Sequence, residues 1–175
     1  MSVSAAPPQW RDDVLGGRFA SLELPLAADD EGPVVATLVR HTGAGGVAAG
    51  VTAAGQAVLS PAVHDTQVPA RVVLYLHGWS DYFLQSELAD HLVASGFHFY
   101  ALDLRKFGRS LRDWQTPGYT TDLAVYDEDI AAALAAIGGD IAGRTGSSVA
   151  PTVHLLAHSL GGLVAALWAD RNPGK

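Results

Sequence analysis

No cysteine occurs among the 175 residues, which removes disulfides, thiolate metal sites and thiol catalysis, and gives no sign of an oxidising compartment. Positive charge is also scarce. Eleven Lys and Arg against 18 Asp and Glu leave a formal net charge of -7, and the cations are scattered, so no basic stripe exists to neutralise a phosphate backbone. Nucleic acid is not an expected partner. No window approaches the roughly 18 consecutive apolar residues of a membrane-spanning helix. Residues 1–8 have neither the cationic patch nor the apolar stretch of a signal sequence. These absences leave a cytoplasmic location as the expectation. Of the seven histidines only His154 and His158 fall at His-x-x-x-His spacing, and no acid lies near them, so no metal is expected, nor any other cofactor.

What the chain does hold is apolar material, 49% of its residues, enough for one domain with a substantial core. Residues 1–17 read as a flexible tail and 18–175 as the domain. Apolar and polar side chains alternate over 18–24 and, less cleanly, over 33–40, with Asp29-Asp30-Glu31-Gly32 between them. That pattern predicts an antiparallel hairpin. Residues 42–67 turn to Gly, Ala, Thr and Pro without a period and read as a surface loop, with a short strand at Ala57-Val58-Leu59. Residues 71–76 form a continuous apolar run of the kind buried on both faces of a parallel sheet. Helical spacing follows through Phe83, Leu84, Leu88, His91 and Leu92, with Ser95-Gly96 as its stop. The next strand is expected at 97–102, a second helix at 123–137 stopped by Gly138-Gly139, and a third buried strand at 152–156 ahead of a final helix. Strands alternating with helices predict right-handed crossovers and a mostly parallel sheet with helices on both faces, an α/β fold.

In such a sheet the loops leaving the carboxyl ends of the strands form the site. Three stand out: His77-Gly78-Trp79-Ser80-Asp81, the run from Asp103 through Arg105, Lys106 and Arg109 to Ser110, and Ala157-His158-Ser159-Leu160-Gly161-Gly162. The last is a strand, a tight turn carrying serine, and a helix. Such a turn lifts the serine oxygen above the sheet edge and needs small neighbours, because two backbones approach closely. Serine in a glycine-rich turn is otherwise a steric choice without chemistry; the presence of the other two loops weighs against that. Asp12-Asp13 and Asp127-Glu128-Asp129 read as solvated charge runs. His98 and His154 fall in strands as hydrogen-bonded core residues. His41, His64 and His91 fall in loop or helix-surface positions.

In this order the three loops resemble the α/β-hydrolase superfamily, and within it serine hydrolases of the monoacylglycerol lipase, lysophospholipase and serine aminopeptidase (S33-like) type. The resemblance covers residues 18–175 and is strongest from Val72 to Leu167. It implies acyl transfer, in which Ser159 attacks a carboxylic ester of lysophospholipid or acylglycerol kind after losing its proton to a histidine. It also implies an oxyanion hole made by the backbone N–H groups of Trp79 and Leu160. His77, Gly78, Asp103, His158 and Gly161 are implied as supporting residues, with Asp103 bracing the turn at 105–110 rather than serving as the triad acid. Two positions depart from the family pattern. Ala157 stands where G-x-S-x-G has its first glycine, and Lys106 where related loops often carry glycine. Epoxide hydrolase or dehalogenase chemistry on this fold needs a carboxylate at the elbow, which Ser159 does not provide.

Triad order in the superfamily is serine, acid, histidine, each on a loop after a later strand. Beyond Ser159 the sequence has no histidine and one acid, Asp170, which falls on the helix after the serine and is a poor candidate. The expectation is the amino-terminal part of a larger hydrolase, its sheet incomplete on the carboxyl-terminal side. Such a chain is inactive or weakly active, and its strand at 152–156 is an apolar edge prone to self-association. The competing expectation is a non-catalytic module that recruits a partner by strand addition. Trp79, Tyr82 and Phe83 are candidates to line an apolar pocket for a small aliphatic or lipid-like ester; otherwise Tyr82 and Phe83 begin a helix and face the core.

Overall fold

The computed structural model describes residues 9–43, 50–51, 57–58 and 68–174. In chain order the strands are β1 (Arg11–Asp12), β2 (Phe19–Asp29), β3 (Gly32–His41), β4 (Gly50–Val51), β5 (Ala57–Val58), β6 (Arg71–Leu76), β7 (His98–Asp103) and β8 (Thr152–Ala157). The helices are α1 (Ser86–Ala94), α2 (Tyr126–Thr145) and α3 (Leu160–Arg171). Six strands make one sheet in the order β1-β2-β3-β7-β6-β8, and β4 pairs with β5 apart from it. The sheet is mixed. β1, β2, β3 and β7 pair antiparallel, whereas β6 runs parallel to β7 on one side and to β8 on the other.

The continuous apolar run of β6 has a direct structural meaning. Val72, Leu74 and Leu76 face a core shared with Ile130, Ile137 and Ile141 of α2 and Val164 and Trp168 of α3. Val73 and Tyr75 face the other side, where Phe83, Ala89 of α1 and Phe99 pack. Helices thus cover both faces. The same registers position the site: Leu76 lies opposite Leu102 on β7 and opposite Ala157 on β8, so the chain leaves all three strands at one edge of the sheet. No helix among the described residues is long and apolar enough to cross a membrane.

The hairpin forms as its alternation predicts, but other boundaries move. α2 runs straight through Gly138-Gly139 to Thr145 and stops at Gly146, which takes a left-handed φ of 69° and donates its N–H to the Ala142 carbonyl. Two glycines in a helix cost about 2 kcal/mol relative to alanine. Burial of Ile141 on the next turn returns roughly 1.5–3 kcal/mol, so the helix continues. α1 begins only at Ser86. Tyr82 and Phe83 precede it, and Phe83, fully buried, is a core residue rather than a pocket wall.

At the amino terminus, the expected tail at 1–17 is only partly outside the described residues. β1 pairs with β2 at Arg11 and Asp12, and Asp13 is buried, so residues 11–13 belong to the sheet's edge. His41 is buried too, at the end of β3 rather than in a loop, where its ring accepts the Gly43 N–H and contacts Asp90. His154 is exposed and packs edge-on against Phe97; it is not a core residue. His64, Leu59 and most of 42–67 lie outside the described residues.

Candidate active site

β8 ends at Ala157 and α3 begins at Leu160, so the chain reverses within two residues. Ser159 sits at φ 52° and ψ −115°, a conformation that costs a residue with a Cβ about 1–3 kcal/mol. Serine just before a helix ordinarily caps it by accepting an N–H from the first turn. The Ser159 side chain makes no capping bond, and the residue is exposed. Backbone bonds hold the turn: His158 N–H donates to the Leu76 carbonyl at 3.0 Å, and Gly161 N–H to the carbonyls of His77 at 3.0 Å and His158 at 2.9 Å. Glycine is required at 161, since a Cβ there would lie 2.6 Å from the carbonyl oxygens of both His77 and Leu76.

The loop after β6 runs beside this elbow. A Cβ built on Gly78 would lie 2.8 Å from His158 Nδ1 and 3.3 Å from Ser159 Cβ. Trp79 comes next, 59% exposed, with its ring edge-on to Phe107. Leu160 opens α3, where the first N–H groups have no intrahelical acceptor and the helix end is positive. Below lies His77, fully buried. Its Nε2 accepts the Leu104 N–H at 3.0 Å, which assigns the ring proton to Nδ1, the donor to the Gly78 carbonyl at 2.8 Å. Burial pushes its pKa below the ordinary histidine value.

The loop after β7 is tied down by charge. Both Asp103 oxygens are occupied: one accepts the Phe83 N–H at 2.9 Å, the other the Arg109 N–H at 3.1 Å and the Arg109 guanidinium at 2.9 Å. Arg109 also forks onto Asp13 at 2.7 and 2.8 Å. Arg105 bonds Asp129 at 2.6 Å and Glu128 at 2.7 Å at the start of α2. Asp129 and Asp13 are therefore buried counter-ions and not members of solvated runs. Lys106 has φ 61°, the left-handed conformation that accounts for glycine in related loops. Its side chain is 1% exposed, and its ammonium rests on Asp29 and Glu31 at the hairpin tip. Burial pulls its pKa down, but the two carboxylates outweigh that and hold it above the ordinary lysine value.

Among the described residues, the non-glycine residues with positive φ are Ser80, Lys106 and Ser159, one in each of the three loops. Strain of this kind collects at functional sites because the surrounding structure must impose it. The sequence pattern of the family described as serine aminopeptidase, S33 matches residues 67–175, more than half of the chain. The chain belongs to the serine aminopeptidase S33 family.

Its fold is that of α/β hydrolases. It is similar to a lipase in an open form, with TM-score 0.55 and 18% identity over 89% of this chain and 41% of that one. It is similar to Cfl2 from Burkholderia cenocepacia, with TM-score 0.53 and 21% identity over 95% of this chain and 42% of that one. A predicted CIB-like hydrolase from Thermoplasma acidophilum gives TM-score 0.51 and 16% identity over 89% and 58%. The chain thus spans less than two thirds of each of these structures. Curated proteins gave no match.

Within this S33 chain, Ser159, Leu160, Gly161, His158, Gly78 and Trp79 come to one sheet edge, with His77 and Asp103 beneath them. Asp170 lies exposed near the end of α3. Sequence reasoning missed Arg105, Arg109 and Lys106 as the pins of the middle loop. The only available signal was three cations within five positions of one loop, in a chain with few of them.

Proposed function

We propose that Ser159 is the nucleophile of a hydrolase that acts on carboxylic esters of lipid-like or small aliphatic type by acyl transfer. The observation that carries this reading is an exposed serine held at a strained turn without a capping bond. Ser159 Oγ attacks the ester carbon, and the carbonyl electron pair moves onto oxygen, where the N–H groups of Leu160 and Trp79 receive it. The alcohol leaves with a proton, and water then releases the acyl group. His77 is not the base, because both of its ring nitrogens are engaged with loop backbone. Residues 160–175 contain no histidine. In this reading Ser159 has no histidine after it in the sequence to take its proton, so the chain reacts slowly.

The test is intact-mass analysis of the chain incubated with a fluorophosphonate. One slow adduct that maps to Ser159 and disappears in Ser159→Ala is the expected result; equal labelling of that variant sinks the reading. A second part of the proposal concerns partners. Among the described residues β8 is bonded to the sheet on one side only, with Leu156 38% exposed, and such an edge favours self-association by strand pairing.

A further inference from the structure

Lysine at position 106 carries two costs that glycine would avoid: a Cβ in the left-handed region, at φ 61°, and an ammonium on a buried side chain. What the side chain adds is reach. Its Nζ lies 2.6 Å from an Asp29 oxygen and also bonds Glu31, both at the tip of the β2–β3 hairpin. The other Glu31 oxygen accepts the Thr116 N–H at 3.0 Å, and the Lys106 carbonyl accepts the Gly118 N–H at 3.0 Å. Lys106 and Glu31 thus tie the hairpin tip, the loop after β7 and residues 116–118 together around Phe107.

Phe107, 5% exposed, is where this clamp meets the site. Its ring packs edge-on against Trp79 at 5.6 Å and His77 at 5.1 Å between centroids. On its other flank Gly118 lies so close that a Cβ there would stand 2.7 Å from Phe107 Cζ and 3.1 Å from Trp79 Cη2. His77 and Trp79 hold the two ends of one peptide group. The Gly78 carbonyl accepts the His77 Nδ1–H at 2.8 Å, and a planar trans peptide points its N–H opposite to its carbonyl. The Trp79 N–H therefore faces away from the buried imidazole, in a direction set by two rings that both rest on Phe107.

We infer that Lys106 is a positioning residue for the oxyanion donor: its ion pairs with Asp29 and Glu31 fix Phe107, and Phe107 fixes the Gly78–Trp79 peptide. The inference rests on the hydrolase reading for the role of the Trp79 N–H, and not for the coupling itself. A lysine that served the fold alone would steady residues 29–31 and 105–118 and leave Trp79 indifferent to its loss.

The test pairs ¹⁵N relaxation at the Trp79 amide with the rate of fluorophosphonate labelling at Ser159, on the 175-residue chain, Lys106→Met, Glu31→Gln and the double variant, all well below their unfolding midpoints. In Lys106→Met the Trp79 order parameter should fall from a rigid value of about 0.85 to about 0.6 or below. Labelling should slow about tenfold, because small misplacements of a group that meets the transition state are costly. Glu31→Gln should show both effects in smaller measure, since Asp29 remains. The double variant should be no worse than Lys106→Met, because the two residues act through one contact. Ile141→Val, which thins the core under α2 and destabilises the fold elsewhere, should change neither readout and so separates positioning from lost stability. An unchanged Trp79 amide in Lys106→Met overturns the inference, and so does a loosened amide that leaves labelling at the unmodified rate. Should Lys106→Met not fold, Glu31→Gln, whose acid is 20% exposed, decides by the same criteria. If the unmodified chain takes no label, only the hydrolase reading falls, and the coupling is judged by the amide alone. A chain that labels at Ser159 while its Trp79 amide ignores both variants sinks only this inference.

Discussion

Serine gains no stability by standing at φ 52° and ψ −115°; glycine would. Ser159→Gly is therefore expected to be more stable than both the unmodified chain and Ser159→Ala by about 1 kcal/mol in urea unfolding, because it alone relieves the strain. A position chosen for fold alone would carry the residue that relaxes it. At His77 the sign of the pH dependence follows from burial. The folded pKa lies below the ordinary 6.5, so the unfolded chain takes up a proton that the folded chain refuses. The stability this group contributes is present above about pH 6.5 and declines as pH falls below it, by at most about 1.4 kcal/mol per pH unit. Urea midpoints between pH 7.5 and 5.5 should fall more steeply for the unmodified chain than for His77→Asn. The roles of single residues were only partly legible: the local turn marks Ser159 and Gly161, whereas the burial of Asp129 and Asp13 depends on arginines far along the chain.

Elements that bury one stripe or two full faces declared themselves through period, and elements whose ends are set by neighbours did not. The hairpin and β6 fall where alternation and the continuous run place them, since the sheet buries what those patterns present. α2 outlasts its glycine pair because Ile141 reaches the core, which a reading of propensity alone cannot weigh. A testable consequence belongs to that helix. Neither Gly138 nor Gly139 has a positive φ, and a Cβ at either would meet nothing within 4 Å. Gly138→Ala and Gly139→Ala should each stabilise the chain by about 0.5–1 kcal/mol, read as a higher urea midpoint at unchanged slope. If either lowers the midpoint, the helix does not pass through that position as described.

At the scale of the whole molecule the prediction concerns β8, which pairs on one side among the described residues. Under the self-association proposal, sedimentation should show average mass rising with concentration for the unmodified chain, and Leu156→Lys, which puts a charge on that edge strand, should stay monomeric. A chain that is monomeric at every concentration contradicts the proposal. The order of strands and helices, the three loops and the serine between β8 and α3 were determined by the sequence by itself, because hydrophobic period and the demands of tight turns act over a few neighbouring residues. Only the tertiary structure decided which acids are buried counter-ions and that Lys106 anchors the hairpin tip. Those outcomes depend on pairs such as Arg105 with Asp129, 24 positions apart, and Arg109 with Asp13, 96 apart. No local window contains both partners, so the energy that fixes them appears only when the sheet brings them together.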